Sequence, residues 1–468
     1  MAIELLRAFV QLALVPLFLL RHFLDAKTRS AEVLDYLGTS AEPTPVPATR
    51  PLVGARVFLS CAEASGEIHA RTLVLRTPAR LGDVAYVGLC SPGLEELGVR
   101  AIGDPVSQAR MGLGVIGALP FYLRLLTNAA RVLRDERPDA ALFVDSPALH
   151  VPLGRLARRY GVPVVHLVTP QYWGWAPWRV RGYRKAVDLG LSILPFEVPW
   201  FAARNVRAAH VGHPLQDRLV DVPRRESPSE DGPLALLPGS RASVVRRNLP
   251  WMLARLAEAP PGSALATVRA RVAVGRADLA DFARECVKSA GLEARVDVDR
   301  GDLHTVLPRC RAAFAVSGTV LLDVLHHRLP MVVIYHLSRL EEALSRRLLT
   351  VPHVAAVNLL AGRGVVPEYS FHGDGPTAAV AADLEALLGP SAARDAQRAG
   401  LELAAARLGG PGAIDRTLGW LATFVAPRAA QRCVATAGAA TAGSATSSAA
   451  TPLAAESAGA VNEPARRV

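Results

Sequence analysis

LALLPGSR at residues 234–241 follows shortly after PQYWGWAPWRVRGYRKAVDLGLSILPFEVPWFAARNVRAAHVGHPL at 170–215, and the two together decide the fold. The earlier stretch couples aromatic and arginine residues, an apolar strand ending in Pro-Phe-Glu, and a Gly-His-Pro turn. The later one is a strand that runs into a Gly-containing turn and a helix. That order fits a two-domain enzyme handling a sugar nucleotide. Past the turn, Val244, Val245, Leu249, Met252, Leu253 and Leu256 fall on one helical side. Free N–H groups at Gly239 and Ser240 and the positive dipole end suit an anion, and Arg241 adds a charge able to grip a diphosphate. An ordinary βα turn with a solvated arginine accounts for the same residues.

Outward from there, short β-branched runs alternate with amphipathic stretches, the pattern of parallel strands with crossover helices. Strands are expected at 56–60, 84–88, 140–145, 162–168 and 189–194, then at 234–238, 268–274, 294–299, 312–317 and 331–336. Helices are expected at 243–258 and 319–328, and Val99 to Met111 reads as loop. The polar, Pro-rich DVPRRESPSEDGP (221–233) is the interdomain linker. The chain is therefore α/β, with two Rossmann-like doubly wound domains, 55–220 and 234–426, facing a central cleft where ligands meet the carboxyl ends of strands. Residues 1–39 form a hydrophobic N-terminal segment, 40–54 a Pro-rich linker, and the Ala/Ser/Thr-rich 427–468 a disordered tail.

A chain of 468 residues exceeds one hydrophobic core. Its net charge of +11 and pI near 9.9 favour polyanionic partners: nucleic acid, anionic lipid or phosphorylated substrates. Five cysteines without C-x-x-C spacing suggest neither a disulfide framework nor a zinc site, which fits a reducing cytosol. AFVQLALVPLFLL (8–20) falls short of the about 20 residues a membrane span needs. Glu4, Pro16 and the lack of a small-residue cleavage site speak against a cleaved signal. Flanked by Arg7, Arg21, His22, Lys27 and Arg29, the run suits an interfacial anchor. A helix docked on the protein itself and a signal-anchor are the alternatives.

Several loops could carry chemistry. Ser317-Gly318-Thr319 repeats the strand-turn-helix pattern, and Asp323 beyond it either reaches ribose hydroxyls or is a charge favoured early in a helix. Glu63, Ser65, Gly66 and Glu67 follow the strand at 56–60; they bind substrate, or Ser65 and Glu67 cap a helix. Asp145 ends the apolar AALFVD, where desolvation would raise its pKa toward that of a general base, unless it caps the turn before Ser146-Pro147. Tyr172, Trp173, Trp175 and Trp178 interleave with Arg179, Arg181, Arg184 and Lys185. Such a strip suits a phosphorylated, acylated amphiphile at a membrane, single-stranded nucleic acid, or core tryptophans with a solvated basic face. Gly112 to Gly117 match G-x-G-x-x-G without a preceding strand, which argues against a dinucleotide fingerprint. His326 and His327 are adjacent and make a poor metal pair.

These residues together resemble the lipid-A-disaccharide synthase family of inverting glycosyltransferases with the two-Rossmann GT-B fold. The resemblance runs through AEASGE (62–67), Met111-Gly112, FVDSP (143–147), VPVVHLVTPQYWGWAPWRV (162–180), LPFE (194–197), VGHPL (211–215), LALLPGSR, VSGT (316–319), PMVVIY (330–335) and NLLAGRGVVPE (358–368). It implies transfer of 2,3-diacylglucosamine from its UDP derivative to 2,3-diacylglucosamine 1-phosphate, without metal or cofactor. Asp145 then falls on the base position, with Glu63 and His213 as further catalytic candidates. Gly239, Ser240, Arg241, Ser317, Gly318, Thr319, Asp323, Asn358 and Arg363 would hold the UDP-sugar. Ser65, Gly66, Met111, Trp173, Trp175 and Arg179 would meet the acceptor and its lipid. The implied partners are those two acylated sugars and an anionic membrane surface, not nucleic acid, at the cytoplasmic face of the inner membrane. Another GT-B transferase, a UDP-sugar epimerase, or a non-catalytic paralogue binding UDP-sugar or lipid are the rivals.

Overall fold

The computed structural model describes residues 32–39, 42–48, 50–107, 119–224 and 230–445. Seven strands, β1 (Leu52–Cys61), β2 (Gly82–Leu89), β3 (Arg100–Gly103), β4 (Ala140–Val144), β5 (Val164–Leu167), β6 (Leu189–Ser192) and β7 (Ala208–His210), form a sheet in the order β3-β2-β1-β4-β5-β6-β7. Six more, β8 (Leu234–Leu237), β9 (Ala270–Ala273), β10 (Val296–Asp299), β11 (Ala312–Val316), β12 (Met331–His336) and β13 (Glu368–Phe371), are ordered β10-β9-β8-β11-β12-β13. Every pairing is parallel.

Central strands such as AALFV of β4 and LALL of β8 are buried at every position, because helices cover both faces of each sheet. Strand order reverses between β1 and β4 and again between β8 and β11, and a crevice opens at the carboxyl edge of each such reversal. Two doubly wound sheets with these crevices are the GT-B fold.

The helices that shape the crevices are α1 (Ala64–Leu81) after β1, α2 (Pro147–Arg159) after β4 and α3 (Tyr172–Trp175) after β5. In the second lobe they are α4 (Ala242–Ala257) after β8, α5 (Val320–His326) after β11 and α6 (Arg339–Leu348) after β12.

Three strands escape the sequence pattern. β3 lies in the segment read as loop, and β7 and β13 were not anticipated; all three are edge strands of three or four residues with one neighbour each, so little apolar demand marks them. A larger difference concerns the tail. The last helix, α7 (Ala413–Ala445), runs through residues expected to be disordered from 427, with Pro427 inside it. Alanine is the best helix former, so low complexity there is compatible with helix. Residues 446–468 lie outside the described ones, as do the apolar run 8–20 and its basic flanks.

Helix α7 does not stay with the second lobe. It packs on α1 and β1, burying Leu418, Leu421 and Val425. Its start is tied to the first lobe where Asp217 accepts from the amides of Gly412 and Ile414, the latter at 2.7 Å, and Arg416 Nε donates to the Val211 carbonyl at 2.7 Å. Among the described residues no helix is long and apolar enough to cross a membrane.

Candidate active site

Asp145 stands at the carboxyl end of β4, and both it and Ser146 adopt left-handed backbone, with φ of 58° and 48°. Each such non-glycine residue costs about 1–3 kcal/mol and persists only where its surroundings over-determine it. Here they do. The Asp145 carbonyl accepts from His150 Nδ1 and, at 2.8 Å, from His166 Nε2. The far nitrogens are satisfied too: Ser60 Oγ lies 2.9 Å from His150 Nε2 and Tyr183 OH 3.0 Å from His166 Nδ1, which assigns the tautomers. Burial pushes the two imidazoles down to about 3 and about 4, so both stay neutral N–H donors. The Asp145 carboxyl itself is raised, chiefly by burial and further by the charge of Glu63, against hydrogen bonds from the Ser146 amide and Ser65.

Ser65 Oγ approaches Asp145 Oδ2 at 3.5 Å. Ser146 Oγ donates to Glu63 Oε1 at 3.3 Å, and Glu63 Oε2 lies 3.9 Å from Nη2 of Arg241 on the opposite lobe. Asp145, Ser146, Glu63 and Arg241 thus form one row across the cleft. The Glu63–Arg241 pair is long and its guanidinium 63% exposed, a geometry worth about 0–1 kcal/mol, so it leaves Arg241 able to bind an anion. Arg241 begins α4, and no side chain caps that helix. Gly239 has φ of 110°, and a Cβ there would meet Val244 Cγ1 at 2.8 Å, so this turn needs glycine. Ser317, Gly318 and Thr319 leave β11, the neighbour of β8, at the same edge, with Gly318 and Thr319 exposed.

Other expected residues are placed differently. Neither Ser65 nor Glu67 caps α1: no side chain does, and Glu67 accepts from Ser91 instead. Gly66 serves close packing, since a Cβ there would sit 3.1 Å from the Val144 carbonyl. His213, expected among the catalytic groups, is buried and accepts from the Leu215 amide through Nδ1 at 3.1 Å, capping the helix Pro214–Arg218. Burial lowers its pKa to about 3, so it is a neutral helix cap. Asn358, expected on UDP, is wholly buried and spends its amide on Val365 and Val366, shaping the loop that carries the exposed Arg363. Asp323 turns an oxygen to His304 Nε2 at 3.4 Å. Trp173 is core, with Nε1 donating to the buried Glu197 at 3.1 Å, whereas Trp175 is 40% exposed and stacks under Arg179. Met111 lies outside the described residues.

His150, His166, His304 and Thr350 were not singled out from sequence. Thr350 donates from Oγ1 to the Trp173 carbonyl at 2.6 Å and from its amide to the Gly174 carbonyl at 2.9 Å, latching the lobes together. A cavity of about 450 Å³ lined by Arg269, Arg271, Asp297 and Arg311 opens at the amino ends of β8 and β9 instead, and its arginines are engaged by Asp297, Asp299 and backbone carbonyls.

Residues 57–403 match the family described as lipid-A-disaccharide synthetase. The chain belongs to that family. It is 37% identical over 374 residues to the lipid-A-disaccharide synthase of Anaeromyxobacter dehalogenans, covering 78% of this chain and 96% of that one. It is 32% identical over 382 residues to the synthase of Acidobacterium capsulatum, covering 76% and 92%. Among solved structures, the S. aureus MnaA–UDP co-structure superposes with a TM-score of 0.50 at 12% identity, over 77% of this chain and 94% of that one, a likeness of fold.

Proposed function

We propose that this cleft moves a 2,3-diacylglucosamine unit from its UDP derivative to the 6-hydroxyl of 2,3-diacylglucosamine 1-phosphate, giving the β(1→6) disaccharide and UDP. As a member of its family the chain is a glycosyltransferase that forms the lipid A disaccharide from a UDP-sugar. The acceptor is taken from the family's reaction, and the residue roles are inferred from the cleft. One observation supports these roles: the row from Asp145 through Ser146 and Glu63 to Arg241 sets a desolvated carboxylate opposite an uncapped helix start suited to an anion.

Asp145 takes the proton of the acceptor hydroxyl as that oxygen attacks the anomeric carbon from the face opposite the diphosphate. The carbon–oxygen bond to UDP breaks, its electron pair leaves on the diphosphate, and the configuration inverts. Arg241 and the amides at the start of α4 stabilise the departing charge. Glu63 keeps the proton affinity of Asp145 high and positions Arg241 until phosphate displaces it. Because acylated sugars reside in a bilayer and UDP-sugars in the cytosol, the enzyme works peripherally on the cytoplasmic face of the membrane. Purified full-length protein mixed with both substrates should yield a tetra-acylated disaccharide by mass spectrometry. UDP release with other acceptors alone would overturn this reading.

A further inference from the structure

The outer side of α6 and the tip of α3 share a feature that the transfer chemistry does not use. Leu340 and Leu344 are 68% and 43% exposed; at i and i+4, with Arg347 a turn further, they make an outward stripe on α6. Leu349 and Trp175 are also exposed, at 36% and 40%, and they flank the contact where Thr350 binds the carbonyls of Trp173 and Gly174. Two helices from different lobes thus present one apolar strip.

The charges around the strip are predominantly basic. Arg339, Arg346, Arg347, Arg181, Arg184 and Lys185 are exposed beside it. Of the two acids of α6, Glu341 is half exposed and paired with Arg247, and the buried Glu342 binds Arg346 and His372. Both α6 and α3 hang from carboxyl strand ends, β12 and β5, the edges where Arg241 and Asp145 stand. The strip therefore borders the mouth of the cleft.

We propose that the exposed side of α6, together with Trp175, is a membrane-docking face that seats the cleft mouth on an anionic bilayer. Leucines enter the acyl boundary, the indole sits at head-group level and the arginines meet phosphate, as on interfacial helices. The inference rests on the proposed function only in taking the acylated substrates from a bilayer. Because the face spans both lobes, docking also steadies their relative placement through Thr350.

The test uses the full chain with vesicles of phosphatidylcholine, with and without phosphatidylglycerol, carrying brominated acyl chains. Tryptophan fluorescence should be quenched on the anionic vesicles, and the quenched component should vanish in Trp175→Phe. The double variant L340S/L344S, whose exposed positions leave the melting temperature unchanged, should lose roughly tenfold or more in vesicle affinity. It should keep its turnover on detergent-dispersed substrates. Equal quenching in Trp175→Phe together with unchanged vesicle affinity of L340S/L344S would overturn the proposal and assign the contact elsewhere, for example to the apolar run at 8–20. A loss of self-association in L340S/L344S without loss of vesicle binding would overturn it in favour of a second copy of this chain. Detergent turnover separates the two claims: docking without turnover refutes the proposed reaction alone, and turnover without docking refutes this face alone.

Discussion

At the scale of single residues, the proposed chemistry depends on holding Asp145 in a backbone conformation it would not choose. His150 and His166 do this through the Asp145 carbonyl, so they are positioning residues. His166→Phe removes one donor and leaves the Tyr183 hydroxyl without its acceptor, which should destabilise the protein by about 1–3 kcal/mol. It should also lower kcat more than it raises KM, and steady-state kinetics beside a thermal melt will show whether both change. A base works only when ionised, and the raised pKa of Asp145 places the acid limb of kcat/KM above the about pH 4 of an ordinary aspartate. A pH–rate profile still flat at pH 4 would count against Asp145. Asp145 was legible in sequence because a carboxylate ending an apolar strand can only sit at the strand's mouth. The burial of His213, Asn358 and Trp173 is not legible in sequence, which gives a residue's position along the chain but not the direction of its side chain.

At the scale of elements, the strand-to-helix turns after β8 and β11 were readable because glycine and a small polar residue follow those buried strands, and the sheet's reversal point then brings the two turns together. The edge strands β3, β7 and β13 and the fate of the aromatic segment were not readable. α3 is too short to hold itself; Glu197 holds it, its buried carboxylate accepting from Trp173 Nε1, Thr169 Oγ1 and the amides of Ile193 and Leu194. Burial pushes that carboxyl up to about 7 in spite of these four donors. Glu197→Ala strands the Trp173 indole and the two amides, while Thr169 keeps the Ser192 hydroxyl, and about 3 kcal/mol of stability should go with them, read as a lower denaturant midpoint. The latch to Thr350 should loosen at the same time, detected as faster proteolysis between 170 and 180.

At the scale of the molecule, two lobes are fastened by a helix that belongs to neither linker. Deleting 413–468 uncovers the apolar surface of β1 and α1 that Leu418, Leu421 and Val425 cover, so the truncated chain should aggregate rather than fold as a first lobe. A soluble truncation with an unaltered melting temperature would refute that role. Acid should weaken the whole fold through its buried imidazoles. His150, His166 and His213 have folded pKa values of about 3 to about 4, below the about 6.5 of the unfolded chain. The unfolded state therefore binds more protons, and stability present above pH 6.5 is lost as pH falls toward 4. Melting temperature against pH should fall through that window, less steeply in His166→Phe.

Transfer as proposed rests on one spatial requirement, that Asp145 and Arg241 act on one substrate from opposite lobes. It is tested most directly by measuring UDP-sugar binding and sugar transfer in the same preparation of Asp145→Asn, beside Arg241→Ala. The first should bind UDP-sugar as the unaltered protein does while transfer falls by roughly 10²–10⁴-fold, and the second should lose about tenfold or more in UDP-sugar affinity. Transfer by Asp145→Asn at near the unaltered rate, or undiminished UDP-sugar binding by Arg241→Ala, would contradict it.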